Sequence, residues 1–212
     1  MQLLPNELGD PVSTGTTLVA ATFKDGVVIA ADSRTSSGTY VSNRFADKLT
    51  RITDNIYCCR SGSAADTQTI ADVVAYELDF YEREMGTPAT VRTASNVFRG
   101  LCYEYRDKML AGIICAGWDR QAGGQVYSIS LGGSIMQLPI AIAGSGSTFI
   151  YGYVDALYKP DMEKEQCLDF CLKSVALAIR RDGSSSGVCR LAIITKDGVE
   201  RRMVTHDKLP EF

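Results

Sequence analysis

The types of residue in this chain restrict the catalytic chemistry that it can perform. Histidine occurs once among the 212 residues, as His206 near the C-terminus. Catalytic sets of the Ser-His-Asp or Cys-His kind need an imidazole beside the nucleophile, and zinc-protease motifs need paired histidines. A Gly-rich loop ending in Gly-Lys-Ser or Gly-Lys-Thr is also absent from the sequence. We therefore expect neither a histidine-based catalytic set nor a Walker-type phosphate loop.

A hydroxyl group on the first residue of a chain offers a route to hydrolysis without histidine. The α-amine of that residue can act as the base for its own hydroxyl, and its ordinary pKa of about 7.7–8.0 suits proton transfer at neutral pH. Proteolysis between Gly15 and Thr16 would expose such a residue. Threonine is also common in strands, so spacing alone leaves open that Thr16 is an ordinary structural residue.

The first 15 residues differ in pattern from the rest of the chain. Pro5, Gly9, Pro11 and Gly15 interrupt any regular periodicity, and the segment lacks the basic start and apolar middle of a signal peptide. We predict a leader, or propeptide, over residues 1–15 and a single domain over residues 16–212. A frayed terminus is the alternative interpretation.

Composition indicates an ordinary globular protein of the cell interior. The net charge is −3 and no basic stripe is present, so nucleic acid is not an expected partner. The sequence has no run of about 18 apolar residues, so a membrane is not an expected partner either. The seven cysteines are odd in number and irregularly spaced, unlike a secreted disulfide framework. Cys167 and Cys171 lie one helical turn apart and could share a metal, but buried thiols are the favoured interpretation, and we expect no metal and no cofactor.

Hydrophobic patterns predict strands, two helices, strands, two helices and final strands. Asp25-Gly26 and Asp197-Gly198 each separate two β-rich runs and predict tight hairpins. Further strands are predicted over residues 55–61, 111–118, 125–131 and 135–143. Helices are predicted from near Ser63 with a capping box to Asp66, from near Thr90, over about residues 147–157, and from near Glu163. Several runs are apolar throughout, which predicts sheets covered on both faces. The expected fold class is α+β, with two stacked sheets between two helical layers.

Several motifs resemble those of proteasome β subunits. The segment around the predicted cleavage point, Thr14–Val19, resembles the processing junction of that family. Further segments match its later signatures: Asp32–Arg34, Asn43–Lys48, Arg60–Asp66, Ala143–Ser147 and Asp182–Gly187. The resemblance covers nearly the whole chain from Thr16 onward, in order and at family-like spacing. It implies the four-layer αββα sandwich of the N-terminal nucleophile hydrolases and cleavage between Gly15 and Thr16.

The resemblance also implies the roles of individual residues. Thr16 would be the nucleophile and, through its amine, the base. Lys48 would favour the developing alkoxide, and Asp32 would pair with Lys48, although each alone is more typical of a surface charge. The N–H group of Gly62 would stabilise the oxyanion. Three more residues would surround the Thr16 amine and hydroxyl: Ser145, Asp182 and Ser185.

The resemblance also implies a specificity, because in that family the position of Arg60 lines the pocket for the side chain that precedes the cut. Arginine binds a carboxylate through two parallel hydrogen bonds, so the expected activity is a caspase-like threonine endopeptidase that cleaves after acidic residues. Thr50, Ala64 and Gln68 would complete the pocket. Ser186 departs from the family pattern, where glycine is expected, but its loop should tolerate the side chain.

The resemblance further implies synthesis as a zymogen, assembly with other proteasome α and β subunits into stacked seven-membered rings, and regulatory caps. Unfolded polypeptides would be the substrates, in ubiquitin-dependent degradation in the cytoplasm and nucleus. Two alternatives remain: a non-catalytic structural subunit of the β ring, and another N-terminal nucleophile hydrolase such as a small-molecule amidase. The full-length match argues against the amidase. The structural subunit is disfavoured because all six charged or hydroxyl residues of the implied site are present: Thr16, Asp32, Lys48, Ser145, Asp182 and Ser185.

Overall fold

The computed structural model describes residues 15–37 and 40–212. Residues 1–14 of the predicted propeptide lie outside the described residues, so the domain boundary stays a prediction. In chain order the strands are β1 (Leu18–Phe23), β2 (Gly26–Ala31), β3 (Thr35–Ser37), β4 (Tyr40–Asn43), β5 (Leu49–Arg51), β6 (Ile56–Gly62), β7 (Ala111–Asp119), β8 (Gly123–Ile129), β9 (Ile135–Gln137), β10 (Ile140–Ala143), β11 (Cys189–Thr195) and β12 (Gly198–Val204). The α-helices are α1 (Ala64–Met85), α2 (Val91–Glu104), α3 (Tyr151–Leu157) and α4 (Lys164–Arg181).

The strands form two stacked antiparallel sheets. The first sheet has the order β10-β1-β2-β11-β12 and the second the order β5-β6-β7-β8-β9, while β3 and β4 form a separate hairpin. One apolar cluster lies between the sheets and includes Leu18, Ile29 and Ile114. A second cluster joins the first sheet to α3 and α4, and a third joins the second sheet to α1 and α2. The predicted α+β fold with four layers, αββα, is confirmed.

Strand β2 shows why the apolar runs predicted this layering. All six of its residues are buried, because the side chains of Val28 and Ala30 pack toward α4 and those of Val27 and Ile29 pack toward the second sheet. Successive side chains of a strand point to opposite faces. A strand that is apolar at every position therefore requires cover on both sides.

Both predicted hairpins form, but with a different loop from the one predicted. Phe23 pairs with Gly26, so the two loop residues are Lys24 and Asp25 rather than Asp25 and Gly26. Gly26 is instead the first residue of β2, where an added Cβ would collide with the carbonyl oxygen of Ile194. Glycine is thus required here by close packing of neighbouring strands.

The strand predicted over residues 135–143 was wrong as a single element. Residues 135–137 pair with β8 in the second sheet, whereas residues 140–143 pair with β1 in the first sheet. Pro139 lies between them. Because proline cannot donate a ladder hydrogen bond, the chain leaves one sheet here and enters the other.

The helix starts were predicted to within a few residues. Ser63 caps α1 by accepting a hydrogen bond from the Asp66 N–H group, but the Asp66 carboxylate accepts from the N–H group of Leu110, so the predicted capping box is only half formed. A full capping box joins Glu163 and Gln166 at α4. The helix predicted over residues 147–157 is a short 3₁₀ helix, Ser145–Phe149, followed by α3.

The cysteines are all free and buried. Burial raises the pKa of the Cys102 thiol to about 11 and that of Cys115 to about 12, which disfavours the reactive thiolate. Within the described part of the chain, no group of three metal-ligating side chains is found. No helix in that part combines the length and apolar character needed to cross a bilayer.

Candidate active site

The predicted catalytic residues converge where elements of both sheets end. Thr16 lies just before β1 and Asp32 just after β2, while Lys48 immediately precedes β5. Gly62 is the last residue of β6, and Ser145 follows β10. Asp182 lies at the C-terminus of α4 and Ser185 in the loop that follows. These elements belong to three of the four layers, so the site forms only when the sandwich is assembled.

Lys48 links the predicted nucleophile to an acidic partner. Its ammonium group donates to Thr16 Oγ1 at 2.9 Å and to Asp32 Oδ1 at 2.8 Å. It also donates to the carbonyl oxygen of Gly15 at 2.8 Å. All three N–H donors of an ammonium group are therefore engaged, which fixes the position of the charge beside the threonine hydroxyl.

Asp32 is held from several sides. Its Oδ1 accepts from the N–H group of Thr17 at 2.9 Å, and its Oδ2 accepts from the N–H groups of Arg34 and Ser186, each at 3.1 Å. The residue has no exposed surface. Backbone donors therefore orient the carboxylate toward Lys48 and offset part of the cost of its burial.

Burial acts on both members of this pair. The Lys48 side chain is 7% exposed and that of Asp32 is 0% exposed. Loss of solvent lowers the pKa of Lys48 and raises the pKa of Asp32, against the mutual attraction of the two charges. Because the two charged groups remain 2.8 Å apart, each offsets part of the cost of burying the other.

Ser145 and Asp182 face the peptide nitrogen of Thr16. That nitrogen donates to Ser145 Oγ at 3.1 Å, and Ser145 Oγ donates to Asp182 Oδ2 at 2.7 Å. Ser185 Oγ donates to the same carboxylate oxygen at 2.6 Å and accepts from the Thr17 hydroxyl at 2.8 Å. Thr17 was not predicted as a site residue, since adjacent threonines in a β-rich run give no signal of different roles.

The chain bends sharply at the predicted cleavage point. Gly15 has φ +65°, and an added Cβ would lie 2.5 Å from Ser184 Cβ. The Thr16 hydroxyl donates to the Gly15 carbonyl oxygen at 2.5 Å, while Lys48 donates to the same oxygen. Only glycine fits this left-handed conformation without strain, and the conformation places the hydroxyl beside the carbonyl group of the peptide bond that precedes Thr16.

Glycine is also required across the site at Gly144. It has φ +83°, and a Cβ there would collide with the carbonyl oxygen of Thr16. The same oxygen accepts from the N–H group of Gly146 at 3.1 Å. Thr16 is thereby fixed through its own backbone as well as through its hydroxyl.

A cavity of about 300 Å³ opens from Thr16 toward Arg60. Of the four predicted pocket residues, Arg60, Ala64 and Gln68 line it. Thr50 does not line it; its hydroxyl accepts from Arg60 Nε at 2.8 Å, and its part in binding a substrate stays a prediction. Several other residues that line the cavity were not predicted from the sequence: Thr35, Asn43, Ala46, Asp47, Ser61 and Thr67.

A second cavity, of about 420 Å³, lies on the other side of Gly62. It is lined by Gly15, Ser130, Leu131 and Tyr151 among others, and it too reaches Thr16. Thr16 therefore lies between two recesses of the surface.

The charged and hydroxyl groups around Thr16 suit an attack by its hydroxyl oxygen on a carbonyl carbon. A buried lysine stabilises negative charge on the hydroxyl oxygen. The Thr16 nitrogen donates to Ser145, which shares the Asp182 carboxylate with Ser185. No imidazole takes part, since the polar network around Thr16 consists of lysine, aspartate and hydroxyl groups.

Comparison with known proteins agrees with this geometry. A family model described as "Proteasome subunit" matches residues 12–194 of the chain. Proteasome subunit beta type-1 of Saccharomyces cerevisiae is 56% identical over 201 residues, which are 95% of this chain and 93% of that protein. Proteasome subunit beta type-6 of Dictyostelium discoideum is 51% identical over 208 residues (98% and 97%), and proteasome subunit beta type-9 of Rattus norvegicus is 50% identical over 201 residues (95% and 91%).

Proposed function

The chain belongs to the proteasome β subunit family, and on that premise we propose that it is a catalytic subunit, a threonine endopeptidase that cleaves after acidic residues. The observation that carries the proposal is the contact between the Lys48 ammonium group and Thr16 Oγ1 at 2.9 Å, with Lys48 paired to the buried Asp32. A structural subunit would have no need to bury an ion pair beside a threonine hydroxyl, because buried pairs add little to stability by themselves.

The first step in this proposal is cleavage of the bond between Gly15 and Thr16. The Thr16 hydroxyl oxygen attacks the Gly15 carbonyl carbon, and Lys48, which donates to that carbonyl oxygen at 2.8 Å, stabilises the charge that develops. The C–N bond breaks, the acyl group passes to the hydroxyl oxygen as an ester, and the nitrogen takes up the hydroxyl proton. Water then hydrolyses the ester, which releases residues 1–15 and frees both the hydroxyl and the α-amine.

The mature site would use the same groups on a peptide substrate. The α-amine of Thr16 accepts the hydroxyl proton while Thr16 Oγ1 attacks the substrate carbonyl. The amine then returns the proton to the leaving nitrogen, and water hydrolyses the ester to the Thr16 oxygen. Ser145, Asp182 and Ser185 would hold the amine in place. The role of the Gly62 N–H group as oxyanion donor stays a prediction, supported by the place of Gly62 in the cavity wall beside Thr16.

Arg60 supports the acidic preference. It lines the cavity that opens from Thr16, and its guanidinium group is anchored by Thr50 and by the carbonyl oxygen of Asp47, at 2.8 and 3.2 Å. A guanidinium group has five N–H donors, and these two bonds use two of them. The remaining donors can bind the carboxylate of a glutamate or aspartate that precedes the scissile bond.

We expect replacement of Arg60 by methionine to remove this preference. Hydrogen bonds to a charged group contribute about 1.5–3 kcal/mol each, so loss of two should lower kcat/KM for a peptide with glutamate before the scissile bond by about 100-fold or more. Cleavage after leucine should be maintained or increase. The measurement is kcat/KM for matched fluorogenic peptides with assembled particles. The control is Arg51→Met on the neighbouring strand, where the arginine pairs with the exposed Asp54. An unchanged preference in Arg60→Met would show that Arg60 does not read the substrate.

The wider setting is also proposed. We infer assembly with other proteasome α and β subunits into stacked seven-membered rings, activation by regulatory caps, unfolded polypeptides as substrates, and action in the cytoplasm and nucleus in ubiquitin-dependent degradation. Family membership supports these inferences. So do Tyr76 and Phe80 on α1 and Tyr151 on α3, which are more than half exposed, as expected for surfaces covered by neighbouring subunits.

A further inference from the structure

The four residues before Lys48 form a segment that the first sheet holds in place along its length. The hydroxyl of Ser33, after β2, donates to the Arg44 carbonyl oxygen at 2.5 Å. The guanidinium group of Arg190, on β11, donates to the Phe45 carbonyl oxygen at 3.1 Å. The next N–H group along the segment, at position 46, donates back to the Ser33 carbonyl oxygen at 2.9 Å. The remaining residue, Asp47, is held from β12.

Asp47 connects β12 to the cavity that opens from Thr16 toward Arg60. Its carboxylate forms an ion pair with Arg201 of β12 at 2.8 Å and accepts from the N–H group of Leu49 at 3.0 Å. Its backbone carbonyl oxygen accepts from Arg60 Nη2 at 3.2 Å. Asp47 itself lines the cavity, whereas Arg201 does not. A single residue thus joins an arginine outside the cavity to the arginine inside it.

We propose that Arg201 is a positioning residue for substrate selectivity. By holding the Asp47 carboxylate, it fixes the Asp47 carbonyl oxygen and so the angle at which Arg60 meets the carboxylate of the substrate. The proposal rests on the acidic preference proposed above. It adds that Arg201, on the first sheet, supports the binding of the substrate carboxylate by Arg60, on the second sheet.

The effect of Arg201 should fall on selectivity rather than on folding or on the chemical step. The side chains of Arg201 and Asp47 are 38% and 41% exposed, and exposed ion pairs contribute little to stability. Without Arg201, the Arg60 guanidinium group would keep its bond to Thr50 but could pivot about it. Lys48 has separate anchors in Asp32 and Thr16, so the nucleophile should keep its geometry.

The test compares two adjacent arginines on β12. Neighbouring side chains of a strand point to opposite faces: Arg201 pairs with Asp47, whereas Arg202 pairs with Glu200 and with Glu165 of α4. The variants Arg201→Met, Arg201→Lys, Arg202→Met and Asp47→Ala, together with the double variant Arg201→Met/Asp47→Ala, are to be assembled into complete particles. For each variant, kcat/KM is measured with peptides that carry glutamate or leucine directly before the scissile bond. The position of Arg60 is determined from the structure of the particle.

We expect Arg201→Met to lower the glutamate-to-leucine ratio about fivefold, with cleavage after leucine unchanged. Arg201→Lys, which can keep the ion pair, should retain most of the ratio, and Arg202→Met should retain all of it. The double variant should lose no more than Asp47→Ala alone, because the two residues act through one contact. The structure of Arg201→Met should show the Arg60 guanidinium group displaced.

The outcomes separate this inference from the proposed function. If the unaltered particle prefers glutamate but Arg201→Met keeps both the ratio and the Arg60 position, the role of Arg201 is overturned. Equal losses in Arg201→Met and Arg202→Met, or equal losses after glutamate and leucine, would also overturn it. If the unaltered particle shows no acidic preference while Arg60 still moves in Arg201→Met, the positioning contact stands and the proposed specificity fails.

Discussion

Replacement of Thr16 by alanine should abolish peptide cleavage after acidic residues and leave the leader attached to the subunit. The variant has no oxygen to attack either the Gly15 carbonyl group or a substrate, although Lys48 and Asp32 remain in place. Loss of a nucleophile from an enzyme of this kind lowers kcat by about 10⁴-fold or more. The measurement is cleavage of a glutamate-containing fluorogenic peptide by assembled particles, together with the mass of the subunit.

Serine at position 16 provides the control. Thr16→Ser keeps the hydroxyl group, so we expect it to be processed and to retain a substantial part of the activity. Normal cleavage by the Thr16→Ala particle would contradict the mechanism, because the Thr16 hydroxyl is the nucleophile that the mechanism requires.

Replacement of Lys48 by methionine should have the second largest effect. It removes the donor that lies 2.9 Å from Thr16 Oγ1 and 2.8 Å from the Gly15 carbonyl oxygen, and loss of one such group lowers kcat by about 10²–10³-fold. It also leaves the carboxylate of Asp32 buried without its cation, which destabilises a protein by about 3–5 kcal/mol. We therefore expect both slow processing and a reduced yield of assembled particles.

A second variant separates these two effects. In Lys48→Met/Asp32→Asn the uncompensated buried charge is gone, although the amide nitrogen of the new side chain faces a backbone N–H group on one side. Assembly should therefore recover in part, while activity should not. Activity is measured per assembled particle, and assembly by the yield of particles that contain the subunit. Recovery of activity together with assembly would show that Lys48 serves only to neutralise Asp32, against the catalytic role proposed for it.

The layering of the fold could be predicted because burial on both faces leaves a clear mark on strand composition. The run from Val27 to Ala31 is apolar at every position and is completely buried. The division of residues 135–143 between two sheets could not be predicted in the same way, since both halves are apolar and only the partner strands differ. Hairpin loops were displaced by one residue because glycine was assigned to the turn, whereas Gly26 is required by contact with the Ile194 carbonyl oxygen.

Some features of the candidate site could be predicted from the sequence and others could not. Asp32 and Lys48 lie 16 residues apart at the ends of strands in different sheets, so no helical or strand periodicity brings them together, and only the family resemblance predicted their pairing. The strand position of Thr50 alone does not show whether its side chain faces the cavity or supports one that does, and its contact with Arg60 is seen only in the structure. The pair between Asp47 and Arg201 spans 154 residues and has no signature in the local sequence.

The central claim is that Thr16 becomes the N-terminal residue of a working subunit, and the mass and N-terminal sequence of the subunit from assembled native particles test it most directly. We expect a chain that begins Thr16-Thr17-Leu18, which would show that the bond after Gly15 is cut and that the amine needed as the base is free. A subunit in mature particles that still begins at Met1 would contradict the account and identify the chain as a structural member of the ring.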